Sequence, residues 1–486
     1  MKSLIPCLVL TALCALASVQ AQTPGKVFTV DFNGDSVDAN VGDGVCRDAG
    51  SHCSLRAAID EANADPKTLD AILFGLPDPS VIDLTLGELG IASPITIVGP
   101  GPRRLTVQRS FAPGTPDFRI FHVLGWGSTI RGMTIKNGRI TGALFGGGIY
   151  VEDYCSLDLT EVSVVNNFAL YGGGIANWGY VNVTRSLFAG NRGNNQGGAI
   201  YNIRFPARTF RITDSTVTGN SAGVHGAISN DGTMLLVNDT ITHNSADDLT
   251  TGIASYPEGT VTVLNSIIGS DTSPTLTSLG GAFISLGNNI ITDARNSNGF
   301  VNGVNNDQVS NNNAIDPLLG PLMNNGGQTD TRALLAGSPA INAGNNCIST
   351  GNCSTNPPFR LNNDQRSGFA RLNGAAVDVG AFEHNSTPVT GIISLSFGVF
   401  DRPARFAGSI AVLTDTLTLE KRYASLNPFG NGAFPNLPLH VYIFEIKSKR
   451  EGLSIFPIVM DMNDFALQAP SAITVEPGIS VKVKKD

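Results

Sequence analysis

Four segments in the middle of the chain repeat one pattern at a nearly fixed spacing. Each begins with a glycine-rich turn, followed by a short strand, a second turn and a strand that alternates polar and apolar residues. The isoleucine after the glycines recurs with spacings of 26, 25 and 28 residues, at Ile149, Ile175, Ile200 and Ile228. A weaker fifth copy begins at Thr250. A period of this length is typical of solenoids, in which each repeat stacks on the next.

The composition of the repeat predicts which solenoid it forms. The strands are short and alternating, so one face of each points inward. No copy has helical periodicity, which disfavours leucine-rich and ankyrin-type solenoids, and each copy is too short for the four strands of a propeller blade. We therefore expect an all-β fold, a parallel β-helix of roughly eight to ten coils between Val81 and Asp293.

An asparagine follows the second strand of each repeat, at Asn167, Asn191, Asn220 and Asn244. Stacked asparagines can hydrogen bond from coil to coil as a ladder. Asparagine is also a common turn residue, which would explain its presence without a ladder. The shared register favours the ladder, so we expect these side chains to point inward at one corner.

The stretch CSLRAAIDEAN predicts the only clear helix near the start of the chain. Ser54 is a suitable N-cap. The apolar residues fall on one face, with Arg56 and Asp60 on the other. These apolar residues are Leu55, Ala58, Ile59 and Ala62. A β-helix has open ends whose strand edges invite aggregation, so its terminal repeats need caps. We expect residues 54–63 to form a lid over the first coil.

Residues 1–21 have the pattern of a signal peptide: one lysine, an apolar run and a small-residue end. A membrane anchor is the alternative, but the run is short for a span and the chain that follows is polar. No other apolar stretch is long enough to cross a bilayer. The 40 acidic residues against 32 basic ones argue against a nucleic-acid partner. We expect a secreted protein with no integral membrane segment after cleavage.

Export would place the mature chain in an oxidising compartment, where disulfides persist. Five cysteines remain outside the signal peptide, and two pairs are close in sequence. We expect two local disulfides that pin the cap regions at the ends of the tube, and one free thiol facing the coil interior. Free buried thiols are the alternative. The expected pairs are Cys46–Cys53 and Cys347–Cys353, with Cys155 left free.

Two stretches resemble known families. VDANVGDGVCRDAGSHCSLRAAIDEAN resembles the CSLREA motif at the N-terminus of many secreted bacterial β-helix proteins, with Ala57 in place of the usual glutamate. The segment from Asp316 (DPLLGPLMNNGGQTDTRALLAGSPAINAGN) to Glu383 (DQRSGFARLNGAAVDVGAFE) resembles the choice-of-anchor Q segment of the same proteins. The glycine repeats followed by FAGN, VTGN or ITHN are similar, more weakly, to polymorphic outer-membrane protein repeats.

The resemblance covers roughly residues 28–387 and implies a right-handed, pectin-lyase-like β-helix that is exported and often surface-associated. The molecular role of these families is mostly undefined. The last hundred or so residues depart from the usual layout, and their alternating runs and returning lysines predict a small separate β domain. The expected segments are the signal peptide 1–21, a cap 22–80, repeats 81–315, the anchor-like segment 316–387 and a C-terminal β domain 388–486.

Because enzymes occur on this fold, the acidic and basic clusters of the chain are candidate catalytic residues. Glycoside hydrolysis needs two carboxylates on one face. The best acidic pair is Asp247 and Asp248, with His225 one coil away, but the order is reversed relative to polygalacturonases and a solvated turn is the simpler interpretation. A lyase would need basic residues near a carboxylate cluster. The basic candidates are Arg204, Arg208 and Arg211, with no acidic group at matching register, so pairing with surface carboxylates is expected.

Two further patterns have a functional and a structural interpretation. Acidic and amide residues alternate from Asp31 in DFNGDSVDANVGDG, as in calcium loops, but the bidentate acid is missing and an Asx-rich turn is expected instead. Four aromatic residues lie beside the repeat glycines and would suit sugar binding, although most aromatics in solenoids are core stacks. The residues are Asp31, Asn33, Asp35, Asp38 and Asp43 in the first pattern and Trp126, Tyr171, Trp178 and Tyr201 in the second.

The sequence therefore predicts a secreted, non-catalytic β-helix protein of the bacterial envelope or surface, acting in adhesion or as a scaffold. Surface glycans or matrix proteins are the expected partners, and no cofactor, metal site or catalytic residue is expected. The alternative is a carbohydrate-active enzyme, a polysaccharide lyase or glycoside hydrolase. A carboxylate or Lys/Arg cluster on one lateral face of adjacent coils would favour the enzyme.

Overall fold

The computed structural model describes residues 25–485 except 142–144, 204–207, 248–249, 270–274, 354–359, 400–405, 407, 448–454, 464–471 and 477–478. The predicted signal peptide, Arg204 and Asp248 lie outside the described residues. The chain folds into a parallel β-solenoid followed by a small antiparallel β domain, which confirms the predicted fold class.

Three long parallel sheets and one short sheet form the solenoid, and each strand pairs with the strand one coil later. The first sheet contains Val27–Val30, Asp70–Phe74, Ile95–Val98, Ser128–Arg131, Ser156–Thr160, Tyr180–Thr184, Thr209–Thr213, Thr233–Val237, Thr260–Leu264 and Ala282–Gly287. The second contains Ser80–Leu84, Leu105–Arg109, Thr134–Lys136, Ser163–Val165, Leu187–Ala189, Thr216–Thr218, Thr240–Thr242, Ile267–Ile268, Ile290–Ile291 and Gln308–Val309.

The third sheet contains Leu89–Ile91, Phe121–Val123, Ile149–Val151, Ile175–Asn177, Ile200–Asn202, Ile228–Asn230, Ile253–Ser255 and Leu276–Ser278. The short fourth sheet contains Phe168–Tyr171, Arg192–Gln196, Ser221–Ala222 and Ser245–Ala246. The repeat glycines connect the fourth sheet to the third. A continuous apolar core fills the tube, and alternation along each strand places the remaining side chains outside.

The four predicted ladder asparagines lie buried at one corner, between the second and fourth sheets. The side-chain nitrogen of each of the first three donates to Oδ1 of the next, at distances of 3.0, 2.9 and 3.0 Å. The same oxygens also accept the backbone N–H of the preceding asparagine. The coils are thus hydrogen bonded to one another along the tube axis at this corner. The four are Asn167, Asn191, Asn220 and Asn244.

Two more polar ladders lie at other corners, where the sequence analysis did not place them. At the end of the third sheet, Nδ2 of Asn177 donates to Asn202 and Nδ2 of Asn202 donates to Asn230, at 2.9 and 2.7 Å. Between the first and second sheets, backbone N–H groups donate to the buried side chain of the next coil at 2.9–3.1 Å. This ladder consists of Ser186, Ser215, Asp239, Ser266 and Asn289.

The turn between the first and second sheets requires a left-handed residue in each coil. Five successive coils, and then a sixth with Asn288 (φ 57°), have a non-glycine residue there, which costs roughly 1–2 kcal/mol each. Ion pairs offset this cost where the residue is charged: Glu161 accepts from Arg131 (2.8 Å) and Arg185 (3.2 Å), and Asp214 pairs with Arg371. The five are Glu161 (φ 54°), Arg185 (49°), Asp214 (49°), Asn238 (57°) and Asn265 (51°).

The predicted lid helix, α1, spans Leu55–Asn63 and covers the first coil. Ser54 is its N-cap, and the Ser54 hydroxyl accepts the N–H of Ala57 at 3.0 Å. Leu55 and Ile59 are buried in the solenoid core. Arg56 pairs with Asp35 at 2.6 Å, on the outer side. The solenoid begins at the strand Val27–Val30, before the helix, and not at residue 81, because the helix lies between the first two strands of the first sheet.

Both predicted disulfides are present, with Cα–Cα distances of 5.2 Å for Cys46–Cys53 and 4.7 Å for Cys347–Cys353. The first pins the loop before the lid helix. The second was expected at an end of the tube, and this expectation is wrong. It brackets a short helix, Cys347–Thr350, that packs on the side of the first sheet. The Cys155 thiol is free and buried in the core.

The anchor-like segment 316–387 packs along the side of the solenoid. It contains a hairpin of Leu319–Met323 and Thr331–Leu334 and then runs without long strands. The fully buried Arg371 joins it to Asp214 of the solenoid. Its apolar side chains cover the second sheet through a cluster of Ile267, Ile290, Leu334, Ala340, Val379 and Phe382. The segment is therefore a side plate of the tube.

The C-terminal domain consists of two four-stranded antiparallel sheets around a shared core, as predicted. Ile443 packs against Leu73 and Val98 of the first sheet, and Asp461 pairs with Arg131. Among the described residues, no helix has the length and apolar character needed to cross a membrane. The strands are, in spatial order, Asn431–Pro438, Ile392–Val399, Ile479–Lys485 and Ala472–Glu476, then Lys421–Ser425, Ile410–Asp415, Val441–Lys447 and Ile455–Asp461.

Candidate functional site

The outer face of the third sheet differs from the rest of the tube. The middle residue of each strand points away from the core and lies beside its counterpart one coil later, about 4.8 Å away. This column, named here the lateral column, mixes aromatic, charged and very small residues. In spatial order it consists of Gly90, His122, Tyr150, Ala176, Tyr201, Ser229, Ala254 and Thr277.

An imidazole held between two carboxylates lies at one end of the lateral column. His122 Nδ1 is 2.8 Å from Glu88 Oε1, and His122 Nε2 is 3.1 Å from Glu152 Oε1. Glu88 precedes the strand Leu89–Ile91, and Glu152 follows Ile149–Val151, so three adjacent coils contribute.

Arg119 and Tyr150 complete this charged group. Arg119 Nε is 3.1 Å from Glu88 Oε2, and its guanidinium lies 4.7 Å from the centre of the Tyr150 ring. The Tyr150 hydroxyl donates to Glu152 at 3.2 Å. Burial alone would raise the pKa of Glu88, but the hydrogen bond from His122 and the charge of Arg119 outweigh it and the pKa is lowered. Burial and the Glu152 charge raise the pKa of Tyr150, so its hydroxyl stays protonated.

A cluster of aromatic rings continues the site along the tube axis. Phe145 is its centre, with ring centroids 6.2 Å from Tyr150, 5.5 Å from Tyr171, 5.1 Å from Trp178 and 6.0 Å from Tyr201. Tyr171 and Tyr201 are 5.0 Å apart. Tyr150 is buried, and the other four rings of the cluster are half-buried. The indole Nε1 of Trp178 is buried and has no hydrogen-bond partner among the described residues.

Three of the four aromatic candidates from the sequence, Tyr171, Trp178 and Tyr201, therefore meet in one cluster. Trp126 does not join them. It lies on the neighbouring turn, 57% exposed, with its ring edge against Tyr180 at 5.1 Å. Aromatic rings with half-open edges and nearby polar atoms suit sugars, which combine apolar ring faces with hydroxyl groups.

The acidic and arginine candidates are not brought together. Asp247 is exposed, whereas His225 is buried with its ring against Tyr256. Arg208 pairs with Asp153, two coils away, which agrees with the expected pairing with surface carboxylates. Arg211 lies on the first sheet beside Asn182. These positions give no catalytic arrangement.

The Asx-rich loop from Asp31 uses its carboxylates within the chain. Asp31 accepts the N–H of Cys53 at 2.8 Å, and Asp38 accepts the N–H groups of Asn40 and Arg47 at 2.8 Å each. Asp35 binds Arg56 and two further backbone N–H groups. Among the described residues no group of acidic, histidine or cysteine side chains is arranged to hold a metal ion. The loop is a hydrogen-bonded support for the lid.

Sequence reasoning missed the charged group of Glu88, Arg119, His122 and Glu152. Glu88 and Arg119 lie in early coils where the repeat is weak, so their register is not readable from the sequence. Compared with protein-family models, with curated proteins and with solved structures, the chain gives no significant match. The class that the fold and this face define is a parallel β-solenoid with an aromatic and charged lateral column.

Proposed function

We propose that this protein is a secreted β-solenoid of the bacterial envelope or surface that binds glycan chains on its lateral column, acting in adhesion or as a scaffold. The observation that carries the proposal is the cluster around Phe145, in which rings from adjacent coils lie side by side along the tube axis. An extended glycan lying along the axis would meet one coil about every 4.8 Å, close to the length of one sugar unit.

Two features favour an exported location. Structural disulfides form and persist in oxidising compartments, and this chain holds two of them. The CSLREA-like stretch around Cys53, which resembles the N-terminal motif of secreted bacterial proteins, forms the lid of the tube. Its apolar residues close the solenoid, so the motif has a structural reason to accompany this fold.

The charges near the column favour a neutral glycan over an acidic one. Four carboxylates lie on or beside it, against two arginines, and the whole chain carries a net charge of −8. An anionic polysaccharide such as a polyuronate would therefore be repelled. The carboxylates are Glu88, Glu152, Asp153 and Asp231, and the arginines are Arg119 and Arg208.

Binding can be tested with immobilised and soluble oligosaccharides: cellohexaose, chitohexaose and a β-mannan hexasaccharide, with hexagalacturonate as the acidic comparison. We expect a neutral hexasaccharide to bind and Tyr201→Ala to weaken binding about fivefold, since one stacked ring contributes about 1 kcal/mol. Trp126→Ala is the matched control, because Trp126 is an exposed ring outside the cluster. Equal losses in both variants, or binding of hexagalacturonate alone, would contradict the proposal.

A second candidate function, hydrolysis of a glycan, is favoured by the Glu88–His122–Glu152 group, because two carboxylates on one lateral face are what a glycoside hydrolase needs. However, both carboxylates bind the same imidazole, so the space between them is filled by His122 and not open to a sugar. We therefore favour binding. Release of reducing ends that is lost in both Glu88→Gln and Glu152→Gln would establish the enzyme instead.

A further inference from the structure

The lateral column contains a slot that is one residue wide. By strand register, Tyr150 lies beside Ala176, and Ala176 lies beside Tyr201. The two tyrosine positions are therefore two strands, or about 9.6 Å, apart. Since Ala176 contributes one methyl group, the space between the two rings is not filled by any side chain of the column itself.

Phe145 fills this slot from the neighbouring column. Its backbone pairs with Tyr171, before the glycine turn, and its ring reaches across to lie nearly parallel to both slot walls. The interplanar angles are 21° to Tyr150 and 15° to Tyr201, with centroid distances of 6.2 and 6.0 Å. Trp178 closes one side at 5.1 Å. A flat ring of the chain thus occupies a place that is walled on two faces by aromatic rings.

We propose that this slot is the subsite for one pyranose unit of a neutral glycan, and that Phe145 occupies it until the glycan displaces it. The inference rests on the proposed function and names the position on the lateral column where one sugar unit binds. A pyranose ring resembles a phenyl ring in breadth and presents apolar C–H faces to aromatic walls. Polar atoms beside the slot walls would pair with its hydroxyl groups: the buried, unpaired Nε1 of Trp178, whose ring packs edge-on against Tyr150 at 5.3 Å, and Glu152, which accepts from the Tyr150 hydroxyl.

The alternative is that Phe145 is a permanent part of the binding platform. The two arrangements predict opposite effects of removing its ring. If Phe145 competes with the sugar, the free protein is binding-competent only while the ring is out. The apparent dissociation constant is then the intrinsic one divided by the fraction of time that the ring is out. If Phe145 is part of the platform, its removal takes away contact area and binding weakens.

The test uses the full-length mature protein, with the neutral hexasaccharides as probes. Phe145→Ala should tighten binding about tenfold, the factor expected if the ring fills the slot roughly nine-tenths of the time. Ala176→Phe, which builds a ring into the slot from its floor, should abolish binding. Thermal unfolding of each variant checks that it is folded. The chain has two tryptophans, so Trp126→Phe leaves Trp178 as the only one. The fluorescence emission of Trp178 then reports directly on the slot.

The outcomes separate the slot from the proposed function. Tighter binding by Phe145→Ala, or binding by that variant alone, supports both. Weaker or unchanged binding by folded Phe145→Ala, while wild type binds, overturns the slot and leaves glycan binding intact. Binding that survives in Ala176→Phe with unchanged Trp178 emission also overturns the slot. No binding of any neutral hexasaccharide by wild type or Phe145→Ala overturns the proposed function and the slot with it.

Discussion

Replacing Asn191 by alanine removes one rung from the asparagine ladder. Asn191 has no exposed area, and its side chain makes four hydrogen bonds. Its Oδ1 accepts the backbone N–H and the side-chain N–H of Asn167, at 3.1 and 3.0 Å. Its Nδ2 donates to Val164 O at 2.8 Å and to Asn220 Oδ1 at 2.9 Å. All of these partners lie in the dry interior of the tube.

The cost follows from which partners remain satisfied. Asn167 Nδ2 keeps a bond to Ile135 O, and Asn220 Oδ1 keeps the backbone N–H of residue 191. The Asn167 backbone N–H loses its acceptor, whereas Val164 O keeps its sheet hydrogen bond in the pairing of Ser163–Val165 with Leu187–Ala189. One stranded buried group costs about 1–3 kcal/mol. We therefore expect a loss of about 1–3 kcal/mol, a substantial fraction of a typical folding free energy of about 5–15 kcal/mol.

The matched control is Asn182→Ala in the same coil. Asn182 is exposed and binds Asp158 at 2.7 Å, so its loss should cost under about 0.5 kcal/mol. Urea unfolding followed by circular dichroism gives both midpoints, and Asn191→Asp adds a second comparison, since it keeps the acceptor and loses the donor at neutral pH. If Asn191→Ala and Asn182→Ala unfold at the same urea concentration, the ladder does not stabilise the solenoid.

The lid, the free thiol and a buried carboxyl provide three further tests. Ile59→Asp buries an unpaired charge and should cost several kcal/mol, while Asp60→Ala in the same helix should cost little; equal melting temperatures would refute the lid. Cys155 is buried, which raises the pKa of its thiol, so iodoacetamide should modify it slowly in the native state and quickly in urea, and non-reducing mass spectrometry should find it unbridged. Burial raises the pKa of Glu383 to about 8 against an ordinary 4.5, so folding takes up a proton there. The free energy of unfolding should therefore fall as the pH rises from about 5 to 8, and less so in Glu383→Gln; no difference from wild type would refute this.

The parts of the fold that recur in every coil could be predicted from the sequence. The asparagine ladder follows from one residue type at a constant place in the repeat, and the lid from one helical apolar pattern. The third-sheet ladder of Asn177, Asn202 and Asn230 carries the same signal, with spacings of 25 and 28 residues, and was open to the same reasoning. The ladder through Ser186 and Asp239 was not, because its rungs change residue type from coil to coil.

The site could not be predicted in the same way, because its residues do not repeat. His122 and Tyr150 are 28 positions apart and become neighbours only when the strand Phe121–Val123 is placed beside Ile149–Val151. Arg371 and Asp214 are much further apart in the sequence. Their pairing depends on how the segment 316–387 crosses the turn between the first and second sheets. The repeat spacing identifies the residues that all coils share, whereas the candidate site consists of residues that differ from one coil to the next.

The two sides of the third sheet differ in how much their residues vary along the tube. On the inner side, the first residue of five successive strands is always isoleucine, because the tube has one width and the core must fill it. On the outer side, the residue next to each isoleucine changes from tyrosine to alanine to tyrosine to serine to alanine. Packing within a uniform stack would favour one residue type there, as it does inside. The variation of the outer column, from the fully buried small residues Ala176, Ser229 and Ala254 to the tyrosines, is the feature on which the proposed glycan binding and its slot depend.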